Sequence, residues 1–329
     1  MSASLVEHGQ RYLGRFEATP LANPLDQFRG PRRAYERFRT KEWVGFTLVH
    51  RDMAGSMIIQ DAKYMVTGEL YVYDRADDVL AQYAANKFLA SGKLPANLLQ
   101  NRCTFTAGAF GLGYDFSDDE VVVAINIAGA SENPGVKGRL TLDARHASSP
   151  LVVSALLPGG NLYTNKIVYP ADGEIVCGDR RYTFDPSHDF AILDEHKSHL
   201  PYRTDWTWGT FAMMADGHIV GANLATRPSL EGQEEESCIW TPEGTRALTD
   251  VSFTQTGDDM SVWHITSADG RIDVTFTPQG HKDHKMNLGI LALQYAQWFG
   301  HYNGTMRDGD QEWKLENVPG VCERMHARL

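Results

Sequence analysis

The chain has 329 residues, of which 42% are hydrophobic and 22% charged, and its formal net charge is −11. This composition is typical of a globular protein rather than a disordered one, and the acidic balance disfavours nucleic acid or an anionic membrane as the main partner. Because no stretch approaches the roughly 20 apolar residues of a membrane span and the four cysteines lie far apart, the sequence predicts a cytoplasmic protein with reduced thiols.

Short β-rich runs follow one another along the whole chain. In RIDVTFT, for example, Ile272, Val274 and Phe276 alternate with polar residues, as on a strand with one buried face. Glycine tolerates the positive φ of tight turns, so dipeptides of this kind between strand-like runs predict hairpins. The predicted hairpin turns are Pro158-Gly159, Asp216-Gly217, Asp269-Gly270 and Asp308-Gly309.

One segment has a helical pattern instead. In DDVLAQYAANKFLAS, residues 77–91, apolar side chains recur three and four apart after an aspartate that could cap a helix. The pattern predicts a helix there.

Many short strands with closely spaced turns predict an all-β fold of antiparallel sheets that close or nearly close. The strands are too many for one small barrel. We therefore expect two tandem β-barrels or sandwiches with few short helices, divided in the loop-rich stretch around 170–190. The predicted units are residues 1–180 and 181–329.

The segment DEHKSHLPYRTDWTWG, residues 194–209, concentrates ionisable and aromatic side chains. Trp206 and Trp208 are two apart, so on a strand both rings face the same way, either as plain core or as the wall of an aromatic pocket. If HIVGANLAT pairs back through the turn at Asp216-Gly217, Asn223 lies opposite Thr210 and close to the tryptophans. Asn223 is then either a structural clamp or a ligand donor.

Two H-x-x-H spacings, His196/His199 and His281/His284, leave a metal site open, although solvated loop histidines are the alternative that we favour. Lys166, in NLYTNKIVYP, either faces solvent or neutralises an acidic partner inside a barrel.

Several longer segments carry a resemblance to a known family. They include KEWVGF, IQDAKYMVTGELYVYD, VVSALLPGGNLYTNK, GEIVCGDRRYTFD, ILDEHKSHLPYRTDWTWG and YAQWFGHYNGTM. Over most of its length the chain resembles the bacterial proteins grouped as domain of unknown function 2804. The resemblance implies two consecutive lipocalin-like β-units, similar in architecture to the carotenoid hydratase, tocopherol cyclase and Diels–Alderase group of enzymes.

The family pattern matches this chain at particular residues, namely Lys166, Asp194, Pro201, Tyr202, Trp206, Trp208 and Glu236. The chain departs from the pattern at Glu195–Ser198, where many members have a Trp-Gly-Arg-Gly-like run, and at Ser237, which is commonly Asn. These departures indicate that this protein has a substrate different from that of its relatives. They also lead us to expect Asp194 to point inward and His196, Lys197 and His199 to lie at a rim.

We therefore favour a cofactor-independent lyase or isomerase without a metal, acting by acid–base catalysis on a small hydrophobic, hydroxylated molecule such as a terpenoid or aromatic alcohol. Asp194 or Glu236 would be the acid or base, with a pKa raised by burial. Tyr202, Lys166 and Asn223 would orient a hydroxyl or stabilise negative charge. The remaining predicted substrate contacts are Trp206, Trp208, Arg203 and His196.

Two other hypotheses remain open at this point. The protein could be an intracellular carrier of a lipid or aromatic ligand, or the tryptophan segment could serve only as a structural joint. A homo-oligomer is also open, because an edge strand of either unit could pair with a second copy.

Overall fold

The computed structural model describes residues 3–88, 94–130, 133–258, 260–287, 289 and 292–328. These residues are almost entirely β-structure, which confirms the predicted all-β class. The contacts divide the chain into two compact units. The first comprises the chain up to Ala155 together with Gly160–His199, and the second comprises Leu156–Gly159 and the chain from Leu200 onward. The two units are a nearly closed barrel and a half-barrel.

The elements up to His199 are β1 (Val6–Glu7), β2 (Gln10–Arg11), β3 (Gly14–Phe16), a 3₁₀ turn (Pro24–Gln27), α1 (Gly30–Arg39), β4 (Thr40–Val49), β5 (Met53–Asp61), β6 (Met65–Asp74), β7 (Val79–Phe88), β8 (Arg102–Ala107), β9 (Phe110–Phe116), β10 (Glu120–Ile127), β11 (Val136–Asp143), β12 (Leu151–Leu157), β13 (Gly160–Cys177), β14 (Arg180–Phe184) and β15 (Phe190–His199). The main sheet has the strand order β7-β6-β5-β4-β15-β13-β11-β10-β9-β8. It curls around one apolar core, to which both end strands contribute.

The later elements are β16 (Arg203–Ala215), β17 (His218–Thr226), β18 (Cys238–Thr241), β19 (Gly244–Ala247), β20 (Val251–Gln255), β21 (Trp263–Ser267), β22 (Ile272–Asn287), β23 (Ala292–Asp308) and β24 (Gln311–Arg328). Their sheet has the order β19-β18-β17-β16-β24-β23-β22-β21-β20 and encloses a second core that includes Phe211, Trp263 and Trp298.

All four predicted hairpin turns connect consecutive strands. At Asp216-Gly217 both residues have positive φ, 50° and 76°, which is the backbone of a tight two-residue turn. Gly159, Gly270 and Gly309 also have positive φ, as the turn prediction requires.

The helix predicted over residues 77–91 is wrong. Val79–Phe88 is strand β7, which pairs along its whole length with β6, while residues 89–91 lie outside the described part of the chain. Ala81 and Tyr83 point into the core between exposed neighbours, because the sheet ladder overrides the weak local preference for helix. The observed helix, α1, leaves its apolar Tyr35 and Phe38 exposed, and its one buried side chain is Glu36.

The chain divides after His199 rather than near residue 180. β14 and β15, which the predicted boundary assigns to the second unit, are paired with strands of the first. Within the described residues, no helix is long and apolar enough to cross a membrane.

Candidate functional site

Strand β15 organises most of the polar chemistry of the first unit. It lies between β4 and β13, so its side chains have neighbours on both flanks. Ala191 and Leu193 belong to the apolar core. Because successive side chains alternate, Glu195, Lys197 and His199 point to the core side, and Asp194 and His196 point to the opposite side.

Asp194 is the centre of a cluster on that opposite side. Its Oδ1 accepts a hydrogen bond from Lys166 Nζ at 2.7 Å, and its Oδ2 accepts one from Trp43 Nε1 at 3.2 Å. His196 Nε2 lies 3.3 Å from Asp194 Oδ1 and 2.9 Å from Thr164 Oγ1. We call these five residues, Trp43, Thr164, Lys166, Asp194 and His196, the Asp194 cluster.

The strand register explains the arrangement. Lys166 is the direct partner of Asp194 on β13, and Trp43 is the direct partner of His196 on β4. The rings of Trp43 and His196 are stacked, with centroids 4.2 Å apart and an interplanar angle of 22°. The structure therefore brings three predicted site residues, Lys166, Asp194 and His196, into direct contact.

The charges of the Asp194 cluster differ from what the sequence led us to expect. The side chain of Lys166 is 2% exposed and that of Asp194 is 25% exposed. Burial by itself would raise the pKa of Asp194, but the Lys166 ammonium and His196 hold that pKa well below its ordinary value. The expectation of a raised pKa is wrong for Asp194, and its carboxylate is ionised throughout the neutral range.

The predicted rim position of His196, Lys197 and His199 is also wrong, because all three are buried in β15. His199 contacts Thr40 Oγ1 at 2.6 Å and Asn161 Nδ2 at 3.0 Å. Burial, with Arg11 as the next contribution, lowers the pKa of His199 to about 4. Its ring is therefore neutral at pH 7.

Neither histidine pair has the geometry of a shared metal site. His196 and His199 point to opposite sides of β15. His281 and His284 lie in strand β22 rather than in the expected loop, and they likewise point to opposite sides of a strand. Across the described part of the chain, three or more His, Cys, Asp or Glu side chains are nowhere grouped as metal ligands.

In the second unit, the predicted pairing of Thr210 with Asn223 is confirmed. Trp208 is buried, and its Nε1 donates to Asn223 Oδ1 at 2.8 Å. Asn223 Nδ2 donates in turn to the backbone carbonyl of Glu236 at 2.5 Å. These contacts connect Trp208, through Asn223, to the segment just before β18, as the structural clamp would require.

Trp206 has a partner that sequence reasoning missed. Its Nε1 donates to Glu323 Oε1 at 2.7 Å, and Glu323 Oε2 accepts from Tyr295 Oη at 2.9 Å and from Gln297 Nε2 at 3.0 Å. This three-donor site depends on β16 and β23 flanking β24, and no local pattern reveals that arrangement.

The other predicted residues of the second unit are dispersed. Glu236 forms an ion pair with Arg227, while Tyr202 is 50% exposed and Arg203 is exposed at the start of β16. The predicted acid role of Glu236 and the predicted substrate contacts of Tyr202, Arg203, Trp206, Trp208 and Asn223 stay predictions.

Glu195 is a second acid that sequence reasoning passed over. It is 1% exposed, and burial raises its pKa even though Lys197 and Asn165 favour the charged form. The available signal was the run DEHKSH itself, because a strand with ionisable residues at successive positions must place charge on both of its sides.

Comparison with known proteins supports the fold. Kievitone hydratase from Nectria haematococca has a similar structure, with a TM-score of 0.53 and 9% identity over 87% of this chain and 88% of that one. The structure of CghA with Sch210972 gives a TM-score of 0.51 and 10% identity over 88% of each chain. The likeness confirms the predicted lipocalin-like architecture. No curated protein sequence is detectably similar.

A family model matches residues 22–329, which is nearly the whole chain and includes every residue of the Asp194 cluster. The match confirms the resemblance seen in the sequence: the chain belongs to the family of domain of unknown function 2804.

Proposed function

We propose that this protein is a cofactor-independent lyase that adds water to, or removes it from, a small hydrophobic, hydroxylated molecule such as a terpenoid or aromatic alcohol. The observation that carries the proposal is the Asp194 cluster. There an ionised carboxylate contacts a buried ammonium and a histidine, the histidine ring stacks on the indole of Trp43, and the indole N–H donates to the carboxylate.

His196 is the proton-transferring group in this proposal. Histidine is the side chain that most often moves protons in enzymes, and Asp194 Oδ1 lies 3.3 Å from His196 Nε2, where it orients the ring. The low pKa of Asp194 makes it a poor acid itself, so it becomes a positioning residue.

Lys166 and Trp43 supply the rest of the chemistry. The Lys166 ammonium, held by Asp194 at 2.7 Å, would stabilise negative charge that develops on a substrate oxygen. Trp43 would pack against an apolar ring or chain and exclude water. The hydratase among the proteins with a similar fold supports water addition or removal as the reaction class.

A direct test incubates the full chain with monoterpene and phenylpropanoid alcohols in ¹⁸O-labelled water and follows oxygen exchange by mass spectrometry. We expect label incorporation with the wild type. His196→Gln and Lys166→Met should lower it by roughly 10²–10⁴-fold. Glu174→Gln is the matched control, because this carboxylate lies on the same strand as Lys166 and is 48% exposed; it should leave turnover unchanged.

The carrier hypothesis remains the alternative, and the same variants separate it from catalysis. An enzyme should lose turnover but retain ligand binding in His196→Gln, as measured by isothermal titration. Saturable binding of a panel alcohol by the wild type, with no labelled product, would favour the carrier and contradict the enzyme.

We also propose a cytoplasmic location. The four cysteines, Cys103, Cys177, Cys238 and Cys322, are all buried free thiols, which fits a reducing compartment.

A further inference from the structure

The core side of β15 carries buried polar groups that the proposed function does not use. Asn165 Nδ2 donates to Glu195 Oε2 at 3.0 Å, and Lys197 Nζ lies 3.7 Å from Glu195 Oε1. Lys197 Nζ also donates to the backbone carbonyl of Pro95. Because side chains alternate along a strand, these groups lie on the other side of the sheet from Asp194.

Strands β4, β8 and β9 add aromatic and sulfur groups to this interior. Tyr114 on β9 is the direct partner of Cys103 on β8, and the ring of Phe46 meets that of Tyr114 edge-on, with centroids 5.1 Å apart. Burial and then the charge of Glu195 raise the pKa of Cys103 to about 12, while Lys197 opposes the shift. Cys103 therefore lies within the electrostatic reach of both charged residues.

Several polar atoms of this interior have no hydrogen-bond partner among the described residues. They are Tyr114 Oη, Tyr163 Oη, Asn165 Oδ1 and Glu195 Oε1, and each belongs to a side chain no more than 1% exposed. Leaving one such atom without a hydrogen bond costs about 1–3 kcal/mol. Several such atoms in one barrel interior therefore indicate polar groups that bind something other than the surrounding core residues.

The chemistry of these atoms defines which ligand groups could form hydrogen bonds with them. Burial raises the pKa of Tyr114 and Tyr163 well above the ordinary value, so both hydroxyls stay protonated and each can donate to an acceptor oxygen. Asn165 Oδ1 and Glu195 Oε1 require a donor. Lys197 offsets the charge of Glu195, and Phe46 offers an apolar ring.

We propose that Tyr114, Tyr163, Asn165 and Glu195 form a second binding site, inside the first unit, for a small uncharged ring compound that carries both a hydroxyl and a carbonyl group. The site is independent of the Asp194 cluster, because the two lie on opposite sides of β15. A ligand there leaves the Lys166–Asp194 contact unchanged.

The test uses 4-hydroxyacetophenone as the probe and titrates it into the full chain by isothermal calorimetry. A ring of the same shape without polar atoms, 4-ethyltoluene, is the control probe. We expect saturable binding of the first compound only. Tyr114→Phe and Tyr163→Phe, which each remove one hydroxyl and keep the ring, should each weaken binding by roughly tenfold.

Two matched variants make the result specific. Tyr35→Phe removes a hydroxyl from a residue that is 60% exposed, and Asp194→Asn alters the opposite side of β15. Both should bind the probe as the wild type does, even where Asp194→Asn abolishes turnover. Circular dichroism confirms that each variant is folded.

Three results would overturn the proposal. They are the absence of saturable binding of 4-hydroxyacetophenone, equal binding of 4-ethyltoluene, and unchanged affinity in folded Tyr114→Phe and Tyr163→Phe. A loss of affinity in Asp194→Asn as large as that in Tyr114→Phe would place the probe at the Asp194 cluster instead.

Discussion

Replacing Asp194 by asparagine tests the central ion pair of the first unit. Lys166 is 2% exposed and its ammonium lies 2.7 Å from Asp194 Oδ1, so the variant removes the carboxylate charge that this buried cation contacts. Breaking a buried pair in this way costs about 3–5 kcal/mol. Because the Asp194 side chain is 25% exposed, water offsets part of that loss, and we expect about 3 kcal/mol.

The assay is urea denaturation at pH 7, combined with hydrogen exchange of the β13 and β15 amides, which reports on the first unit alone. The double variant Lys166→Met/Asp194→Asn removes both charges and should recover to within about 1 kcal/mol of the wild type. The exposed control Glu174→Gln should change stability by less than about 0.5 kcal/mol.

The pH dependence of this contribution follows from the lowered pKa of Asp194. The stabilisation is fully present above the unfolded-state pKa of about 4. It is lost only as the pH falls through the lower folded-state pKa. The difference between wild type and Asp194→Asn should therefore persist down to about pH 4 and shrink below it. A loss below about 1 kcal/mol, or a double variant as unstable as the single one, would refute the reasoning.

Three further outcomes follow from the structure. Glu323→Gln neutralises a carboxylate that accepts three hydrogen bonds, so it should lower the free energy of unfolding in urea by about 1.5–3 kcal/mol. Glu312→Gln, at an exposed ion pair, should leave that free energy almost unchanged. Asn223→Leu should lower stability by about 1–3 kcal/mol because it removes the hydrogen bonds that Asn223 forms with the Trp208 indole N–H and the Glu236 carbonyl, and an unchanged midpoint would contradict the clamp. The raised pKa of Glu195 means that the folded state binds a proton more tightly than the unfolded state, so stability should fall as the pH rises from the unfolded value toward the folded one. Thermal unfolding of Glu195→Gln should lack that decline, and parallel curves for variant and wild type would show that Glu195 titrates normally.

Features set by short-range chemistry could be predicted from the sequence. The turn at Asp216-Gly217 has a two-residue loop, which fixes the register of its hairpin, and so the pairing of Thr210 with Asn223 was predictable. The alternation of apolar residues likewise indicated strands, and the spacing of turns indicated antiparallel sheets. β7 shows the limit, since its residues fit a helical stripe and an alternating strand almost equally well.

Features that depend on distant pairing could not be predicted. Charge in β15 suggested solvent, because ionisable side chains are rarely buried unless paired, and the partners Lys166 and Trp43 are 28 and 151 residues away from Asp194. Glu323 is 117 residues from Trp206. The resemblance to a family indicated that Asp194 and Lys166 belong to the site, but not that they form an ion pair.

The neighbours Asp194 and Glu195 have consequences that neither has alone. They are consecutive in the chain, yet their pKa values are shifted in opposite directions because the strand points them into different surroundings. One stays ionised across the neutral range, and the other holds its proton to a higher pH than an ordinary glutamate does. Inserting or deleting one residue in β15 would point the aspartate to the core side, away from the cations that lower its pKa, and the glutamate to the side that carries Lys166. The number of residues in this strand therefore determines the protonation of the two acids as strongly as the identity of either acid does.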